Sequence, residues 1–405
     1  MDGDIVRIEN MPSEFEKALP ILRKIESAGY EAYFVGGSVR DTILKRPIHD
    51  VDIATSAYPS EVKGLFKRTV DTGIEHGTVM ILDHGTGYEV TTFRTESGYQ
   101  DYRRPDKVTF VRSLREDLKR RDFTINALAL SENGQVTDLF GGLVDMKARV
   151  IRAVGDPEER FNEDALRMMR AVRFASQLDF RIDDQTLKGI YDHSNLLKKI
   201  AVERIHTEFI KMMMGQDAGN GLSLMLKTRL YRYIPEFGDH FETLVELVKT
   251  PIRLINEVQV WSLFAASFQF QRSQIETFLK KWKTANKIIN DVILTTDLIF
   301  RIQAQTVNNL DLYHAGRQNV QNAVAVAENY LNESLPDLIK AYDNLPITSR
   351  KQLEITGGEL IKQGILKPGP QLGKTLTDLE KAVVIGKVRN RRSELMTEAI
   401  SLNKE

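Results

Sequence analysis

The pattern of apolar and polar residues changes character near residue 150 of the chain. Before that point, short β-type runs alternate with helical runs, and turns rich in Gly, Asp and Asn separate them. The predicted strands lie at residues 31–35, 51–54, 78–82, 88–93, 108–111 and 135–138. After residue 150, strand signals nearly vanish and apolar residues recur with the 3.6-residue period of helices. The pattern therefore predicts an α+β N-terminal region followed by an all-helical remainder.

The domain organisation follows from this change and from weaker breaks in the helical part. We expect four segments, at residues 1–150, 151–215, 216–330 and 331–405. A chain of 405 residues is long enough for several domains, and it can bury a sizeable core without disulfides or metal staples.

Composition and charge exclude several classes of protein. The absence of cysteine excludes disulfides and thiolate zinc sites, and it fits a reducing cytoplasm. The N-terminus lacks a signal-peptide pattern and no apolar stretch could span a bilayer, so we expect a cytoplasmic protein without a membrane partner. Lys and Arg number 56, as do Asp and Glu, so no overall basic excess points to nucleic acid. Phosphate binding would depend on local clusters of positive charge.

The first candidate chemistry lies at Gly36 and Gly37, where an apolar strand runs into a helix. We expect Ser38 to cap that helix and Arg40 to lie one turn into it. Glycine lets the backbone approach a ligand closely, and the free N–H groups at a helix start favour phosphate. With the Arg40 guanidinium as a further donor, the segment predicts a binding site for a triphosphate.

Two carboxylates follow, Asp50 and Asp52, separated by an apolar residue in the next predicted strand. Because side chains alternate along a strand, both carboxylates are expected on one face, about 7 Å apart. Glu89, in another predicted strand, would add a third carboxylate. Magnesium usually takes one or two protein carboxylates together with substrate phosphates. We therefore predict that Asp50 and Asp52 bind Mg²⁺ and that Glu89 completes the catalytic group.

Each of these features is common on its own, since a Gly-Gly pair is usually a plain turn and an Asp-x-Asp pair usually binds no metal. In this order they resemble the first motif of the polymerase-β-type nucleotidyltransferase superfamily, in the form used by tRNA nucleotidyltransferases and bacterial poly(A) polymerases. Residues 120–129 also match the RRDFTxNA motif of these enzymes. This resemblance implies that Arg121 contacts the nucleotide and that residues 98–107 form a flexible loop.

The segment from Arg160 to Phe174 indicates a different chemistry. We expect Asn162 to cap a helix that carries Asp164 in its first turn, with Arg167 as a neighbour three residues on. A carboxylate beside a guanidinium complements the amino donor and ring-nitrogen acceptor of cytosine and adenine. Uracil and guanine would set like groups against each other, at a cost of about 1–3 kcal/mol for each mismatch. The alternative is an ordinary ion pair on a solvated helix face.

The family motif EDxxR, placed after RRDFTxNA, favours the first of these interpretations. By the same resemblance, Arg170 and Arg173 contact the nucleotide, although either could instead brace the carboxylates. Residues 203–204 resemble the next motif and would anchor the neck helices.

These motifs together resemble the class II tRNA nucleotidyltransferases of bacteria, in the short form that lacks an HD domain. The resemblance implies a head with a mixed five-stranded sheet, and a helical neck, body and tail. It also implies Mg²⁺ as cofactor, CTP and ATP as substrates, the 3′ acceptor end and elbow of tRNA as partner, and a possible homodimer. In these terms, the four segments are a catalytic head, a base-recognising neck, a body and a tRNA-binding tail.

Three alternatives stay open. A poly(A) polymerase shares the head motifs, but its extra arginine-rich signature after the neck is not found in the chain. An enzyme adding only CC or only A would carry the same motifs. A non-catalytic tRNA-binding protein could have kept the fold, although the intact Asp50–Asp52 and Asp164–Arg167 pairs argue against it.

Overall fold

The computed structural model describes residues 6–48, 50–100, 104–331, 335 and 337–403. Tertiary contacts divide the chain into two compact units, Met1–Phe241 and Glu242–Glu405. The first unit contains the sheet with its adjoining helices, and the second is helical. The finer division into four segments remains a prediction.

Strands among the described residues are confined to the first unit. They are β1 (Ala32–Val35), β2 (Asp52–Thr55), β3 (Thr69–Gly73), β4 (Thr78–Asp83), β5 (Thr86–Thr92), β6 (Arg94–Gln100), β7 (Arg104–Phe110), β8 (Leu128–Leu130), β9 (Val136–Asp138), β10 (Val150–Ile151) and β11 (Arg181–Ile182). A seven-stranded mixed sheet has the order β3-β4-β5-β2-β1-β8-β9. Within it β2 and β5 run parallel, and the other neighbours are antiparallel.

The predicted fold class is confirmed, but the sheet is wider than the five strands implied by the resemblance. Strand β3 was not predicted because it lies at the sheet edge and is largely exposed, so its residues lack the apolar alternation of a half-buried strand. Strand β8 was missed because its three residues are all buried, and so short an apolar run fits a helix equally well.

Among the residues that the structure describes, ten helices lie wholly within the first unit. They are α1 (Ser13–Ser27), α2 (Gly37–Ile43), α3 (Pro59–Leu65), α4 (Leu114–Lys119), α5 (Gly142–Ala148), α6 (Pro157–Glu163), α7 (Leu166–Leu178), α8 (Asp184–His193), α9 (Val202–Met213) and α10 (Ala218–Lys227). Short 3₁₀ turns lie at Ile74–His76, Thr124–Asn126, Ser194–Lys199, Leu230–Tyr233 and Phe237–His240.

Two packing contacts position the elements of the later site. Helix α4 buries Leu114 and Leu118 in one cluster with Val35 of β1 and Ala54 of β2, so α4 is fixed against the central strands. Helix α7 is joined to the RRDFT segment by Phe174, whose ring meets that of Phe123 edge-on at 5.8 Å. Aromatic pairs in this arrangement add to the stability gained by burial alone.

The stretch that resembles a flexible loop lies largely in a hairpin. Strands β6 and β7 pair antiparallel, with Glu96 opposite Val108 and Ser97 opposite Lys107. Residues 101–103, at the tip of the predicted loop, lie outside the described residues. Of the strand predicted at 108–111, residues 108–110 form the end of β7, and Val111 lies outside it.

The second unit is helical, and one helix begins at the boundary between the two units. The boundary helix is α11 (Phe241–Val248), and the others are α12 (Glu257–Ser267), α13 (Arg272–Lys281), α14 (Asn286–Gln303), α15 (Asn309–Leu331, with a kink at Gly316), α16 (Leu338–Asp343), α17 (Gly357–Lys362), α18 (Pro370–Val384) and α19 (Arg392–Leu402), with a 3₁₀ turn at Arg350–Gln352. Its core contains Trp261 and Trp282, whose rings lie 4.8 Å apart. In the part of the chain that the structure describes, no helix has the length and apolar character to cross a membrane.

Candidate active site

The turn between β1 and α2 brings a guanidinium and a carboxylate close to the backbone. Gly36 has a φ of 76°, a conformation that favours glycine. A Cβ at Gly36 would lie 3.4 Å from Nη1 of Arg121 and 3.7 Å from Oδ2 of Asp52. The predicted cap was wrong: helix α2 begins at Gly37, and the Ser38 hydroxyl donates to the Val35 carbonyl at 3.2 Å.

The predicted carboxylates lie at the start of β2 and beside it. The expectation that both aspartates sit in the strand was wrong for Asp50, since β2 begins at Asp52. The parallel pairing of β2 with β5 sets Ile53 opposite Val90, which places Glu89 next to Asp52. Burial, followed by repulsion from Glu89 and Asp50, raises the pKa of Asp52, and the Arg121 guanidinium offsets this only in part.

This donor set suits a divalent cation. Carboxylate oxygens are the ligands that Mg²⁺ prefers, and a cation would relieve the repulsion that raises the pKa of Asp52. Among the described residues, no three His, Asp or Glu side chains are arranged as a complete metal site. Magnesium needs only one or two carboxylates when substrate phosphates supply the remaining oxygens. Asp50 and Asp52 therefore remain the predicted ligands.

One cleft of about 740 Å³ gathers residues from distant parts of the first unit. Of the predicted site residues, it is lined by Gly37, Arg40, Asp50, Asp52, Arg121, Asp164, Arg167, Arg170 and Arg173. Glu89 lies instead in an adjoining cleft of about 590 Å³, which shares both aspartates with the first. The carboxylates thus form the boundary between two clefts.

Arg40 and Arg121, on the head side of the cleft, differ in how fully their guanidinium groups are hydrogen-bonded within the protein. Arg40 is buried and donates to Asp41 at 2.8 and 2.9 Å and to Oδ1 of Asn126 at 2.7 Å. Its guanidinium is therefore engaged within the protein, where the sequence suggested a free fork of donors. Arg121 donates to Asp117 at 3.1 Å through Nη2. Its Nη1, which lies beside Gly36, makes a long hydrogen bond of 3.4 Å to the Asn126 carbonyl. Nη1 of Arg121 is thus a weakly engaged donor beside Gly36.

The predicted base-reading segment contains a helix break that the sequence did not indicate. Helix α6 ends at Glu163, α7 begins at Leu166, and the side chain that caps α6 is Asp156. The expected cap at Asn162 and the placement of Asp164 in a first turn were therefore wrong. The Asp164 carboxylate accepts the Leu166 N–H at 3.0 Å. Such local side-chain acceptors compete with helix continuation.

Asp164 and Arg167 both face the cleft, but each has its own partner. The Asp164 carboxylate is paired with Arg204 of α9 at 2.8 Å. Arg167 donates to Glu163 at 2.6 Å and to the Arg120 carbonyl at 3.0 Å. The sequence predicted Arg204 only as part of a motif that anchors the neck helices, and its contact with Asp164 was missed.

Arg170 and Arg173 form ion pairs with carboxylates that were not among the predicted site residues. Arg170 binds Asp122 at 2.6 Å, and Arg173 lies 2.5 Å from Glu208 of α9. Burial alone would raise the pKa of Asp122, but the Arg170 charge and hydrogen bonds from Asn126 and Arg170 outweigh it. The pKa of Asp122 therefore lies well below its usual value. The segment 120–124 is thus tied to α7 by an ion pair whose carboxylate is buried and whose guanidinium is half-buried.

Replacing Asp122 with Asn is expected to lower the free energy of unfolding by about 2 kcal/mol at neutral pH, because Arg170, whose side chain is 33% exposed, loses its charged hydrogen-bond partner. Since the folded pKa is depressed, the stabilisation is present above the unfolded pKa of about 4 and is lost as the pH falls through the folded value. The stabilities of the two proteins should therefore converge as the pH falls below about 4. Thermal unfolding of both proteins, from neutral to acidic pH, measures the difference in their stability. Equal midpoints at neutral pH would contradict it.

Family models match most of the chain. Residues 32–152 match the Poly A polymerase head domain, and residues 179–240 match the probable RNA and SrmB-binding site of polymerase A. Residues 252–399 match the putative domain 2 of tRNA nucleotidyltransferase.

Similar proteins match nearly the whole length of the chain. The CCA-adding enzyme of Limosilactobacillus fermentum is 55% identical over 98% of this chain and 100% of its own. That of Pediococcus pentosaceus is 54% identical over 98% of this chain and 100% of its own. The crystal structure of the Bacillus stearothermophilus CCA-adding enzyme in complex with CTP is 36% identical, with a TM-score of 0.88 over 97% of this chain and 98% of that one. This chain therefore belongs to the family of CCA-adding enzymes, which are tRNA nucleotidyltransferases.

Proposed function

We propose that this chain adds C, C and A in turn to the 3′ end of tRNA, using CTP and ATP without a nucleic-acid template and releasing pyrophosphate. The observation that supports this most is the single cleft that holds Asp50 and Asp52 together with Arg121, Asp164 and Arg167. The triphosphate would lie near the two aspartates and the base near Asp164. The full-length similarity to CCA-adding enzymes, one of them solved with CTP, supports the same assignment.

The carboxylates of Asp50 and Asp52 would hold two Mg²⁺, with Glu89 completing the anionic group. Bound magnesium would lower the pKa of the tRNA 3′-hydroxyl and neutralise charge on the triphosphate. Gly36 would let the triphosphate approach Asp52, and Arg121 would donate to its oxygens. The hydroxyl attacks the α-phosphate in line and pyrophosphate leaves, with positioning and charge neutralisation providing most of the rate. This account needs no protein general base.

Asp164 and Arg167 would select the base. The carboxylate would accept from the amino group of cytosine or adenine, and the guanidinium would donate to the adjacent ring nitrogen. The ion pair from Arg204 and the contacts from Glu163 would hold the two side chains in place without covering the cleft. Two mismatches of about 1–3 kcal/mol each would reject uracil and guanine by roughly 10²-fold or better.

The second unit would hold the tRNA. Exposed Lys367 and Lys374 lie on either side of the start of α18, which Gly369 precedes. Helix starts and lysine side chains are common donors to phosphate oxygens. Contacts of this kind fix the position of a nucleic acid without reading its sequence, so they would leave base choice to the first unit.

The function is tested by extending three tRNAs, ending at the discriminator base, at C and at CC, with purified protein and Mg²⁺. We expect addition of two C and one A, followed by stopping. Long A tails would instead indicate a poly(A) polymerase, and partial addition an enzyme that adds only CC or only A. No incorporation would favour a non-catalytic tRNA-binding protein.

A further inference from the structure

The side chain of Asp117 is a buried carboxylate outside the predicted site that touches two adjacent arginines. It lies on α4 and is 1% exposed. One oxygen accepts from Nε and Nη2 of Arg120, at 3.0 and 2.9 Å, and the other accepts from Nη2 of Arg121 at 3.1 Å. Burial alone would raise the pKa of Asp117, but the two guanidinium groups outweigh it, so that pKa is lowered. Asp117 is therefore a charged group between two cations.

The two arginines point to different parts of the first unit. Arg120 extends to the β6–β7 hairpin, where its Nη1 donates to Glu96 at 3.3 Å. Arg121 extends to the cleft, where its Nη1 lies 3.4 Å from the place of a Cβ on Gly36. Without a carboxylate between them, these like charges would repel. Arg121 would also lose its charge-assisted hydrogen bond and keep the longer one, of 3.4 Å, to the Asn126 carbonyl.

The position of Asp117 is fixed relative to the catalytic carboxylates. Leu114 and Leu118, which flank Asp117 on α4, pack in one core cluster with Val35 and Ala54. Val35 directly precedes Gly36, and Ala54 lies two residues after Asp52 on β2. The same core therefore holds the carboxylate that orients Arg121 and the strands that carry the rest of the site.

We propose that Asp117 is a positioning residue for nucleotide binding, which holds the Arg121 guanidinium beside Gly36, where it contacts the triphosphate. This inference rests on the proposed function, since it assumes a nucleoside triphosphate in the cleft. Because the triphosphate is common to all substrates and Arg121 lies at the Gly36 turn, Asp117 acts equally on CTP and ATP. It contributes nothing to the choice between bases.

The test is a double-mutant cycle on nucleotide affinity, measured at equilibrium with CTP and with ATP in Mg²⁺ and without tRNA. Asp117→Asn is expected to raise both dissociation constants by about 10-fold and by the same factor. In an Arg121→Ala background, the same substitution should change them less than about twofold, because the group that it positions is gone. A similar increase in both backgrounds would mean a general structural role and would overturn the proposal, as would unchanged affinities in the single variant.

Asp145→Asn is a matched control. Asp145 is also buried and holds the RRDFT segment, accepting from the Thr124 hydroxyl at 2.7 Å and from Arg152 at 3.1 Å, but it does not line the cleft. It should lower the midpoint of thermal unfolding and leave nucleotide affinity unchanged. If Asp117→Asn fails to fold, Asp117→Glu keeps the buried charge and displaces its oxygens. Raised dissociation constants support the proposal, and wild-type affinity in a folded Asp117→Glu protein overturns it.

The outcome is separable from that of the proposed function. Extension of tRNA by the wild-type protein tests the function alone. The affinity cycle needs no turnover, so it decides the role of Asp117 even if the wild-type protein adds no nucleotide.

Discussion

Replacing Asp52 with Asn is expected to reduce nucleotide transfer by about 10³-fold, because loss of a metal ligand forfeits several kcal/mol of transition-state stabilisation. The substitution keeps the size of the side chain and removes one charge from the group formed with Asp50 and Glu89. Asp50→Ala should have a comparable effect. Affinity for tRNA should stay nearly unchanged in both variants, because most contacts with tRNA would be made by residues away from these three carboxylates. Single-turnover extension and tRNA binding, measured side by side, give the two quantities.

Asp71→Asn is the control for the loss of one carboxylate. Asp71 lies on the edge strand β3 and is paired with Lys63 at 3.0 Å, with both side chains partly exposed. Exposed ion pairs contribute little to stability, so this variant should retain full activity. Transfer at a near wild-type rate by Asp52→Asn, with Mg²⁺ as the only metal, would show that the metal assignment is wrong.

Replacing Asp164 with Ala is expected to weaken base selection more than any other single change in the neck. Cytosine and adenine would lose the acceptor for their amino group, whereas uracil and guanine would no longer meet an opposing acceptor. The ratio of kcat/KM for CTP over UTP should therefore fall by about 10- to 100-fold. Part of the loss would come from Arg204, which would keep its charge without the Asp164 partner. Single-nucleotide incorporation with each of the four nucleotides measures the ratio.

Glu159→Ala is the matched control for this change. Glu159 lies on α6 one turn before Asp164, and its side chain is 71% exposed. Its removal should leave the CTP-to-UTP ratio unchanged. An unchanged ratio in Asp164→Ala would mean that the base is selected elsewhere, and a fall in activity with all four nucleotides alike would assign Asp164 a structural role.

The residues that line the cleft were predictable because local motifs carry them. Asp50 and Asp52 are separated by one residue, and Asp164 and Arg167 by two, so each pair stays close along the chain although Asp50 and Asp164 lie outside the expected strand and helix. The change from strand to helix near residue 150 predicted the fold class for the same reason, since hydrophobic periodicity is a local signal. What the motifs could not supply is the set of partners that hold each side chain.

Those partners come from contacts that are distant in sequence. Asp164 meets Arg204 forty residues later, and Arg40 meets Asn126 eighty-six residues later. No periodicity or spacing reports such pairs. Their effect is substantial, because Arg40 is engaged within the protein where the sequence suggested a free phosphate donor.

Local competition between side chain and backbone explains the other errors. Asp164 directly follows α6 and its carboxylate accepts the N–H of Leu166, the first residue of α7, although the surrounding residues fit a continuous helix. At Gly36, a positive φ lets the helix begin two residues earlier than the expected Ser38 cap allows. Both differences lie at the cleft, where the requirements of the site override local propensity.

The most direct test of the central claim is a competition among all four nucleoside triphosphates, at equal concentration with Mg²⁺, for a tRNA that ends at its discriminator base. The added nucleotides are then sequenced. If the side chains of the cleft serve as the template, the product carries C, C and A and then stops, with U and G at no more than about one per cent of additions. Frequent U or G, or additions in no fixed order, would contradict the claim that this protein selects its bases without a nucleic-acid template.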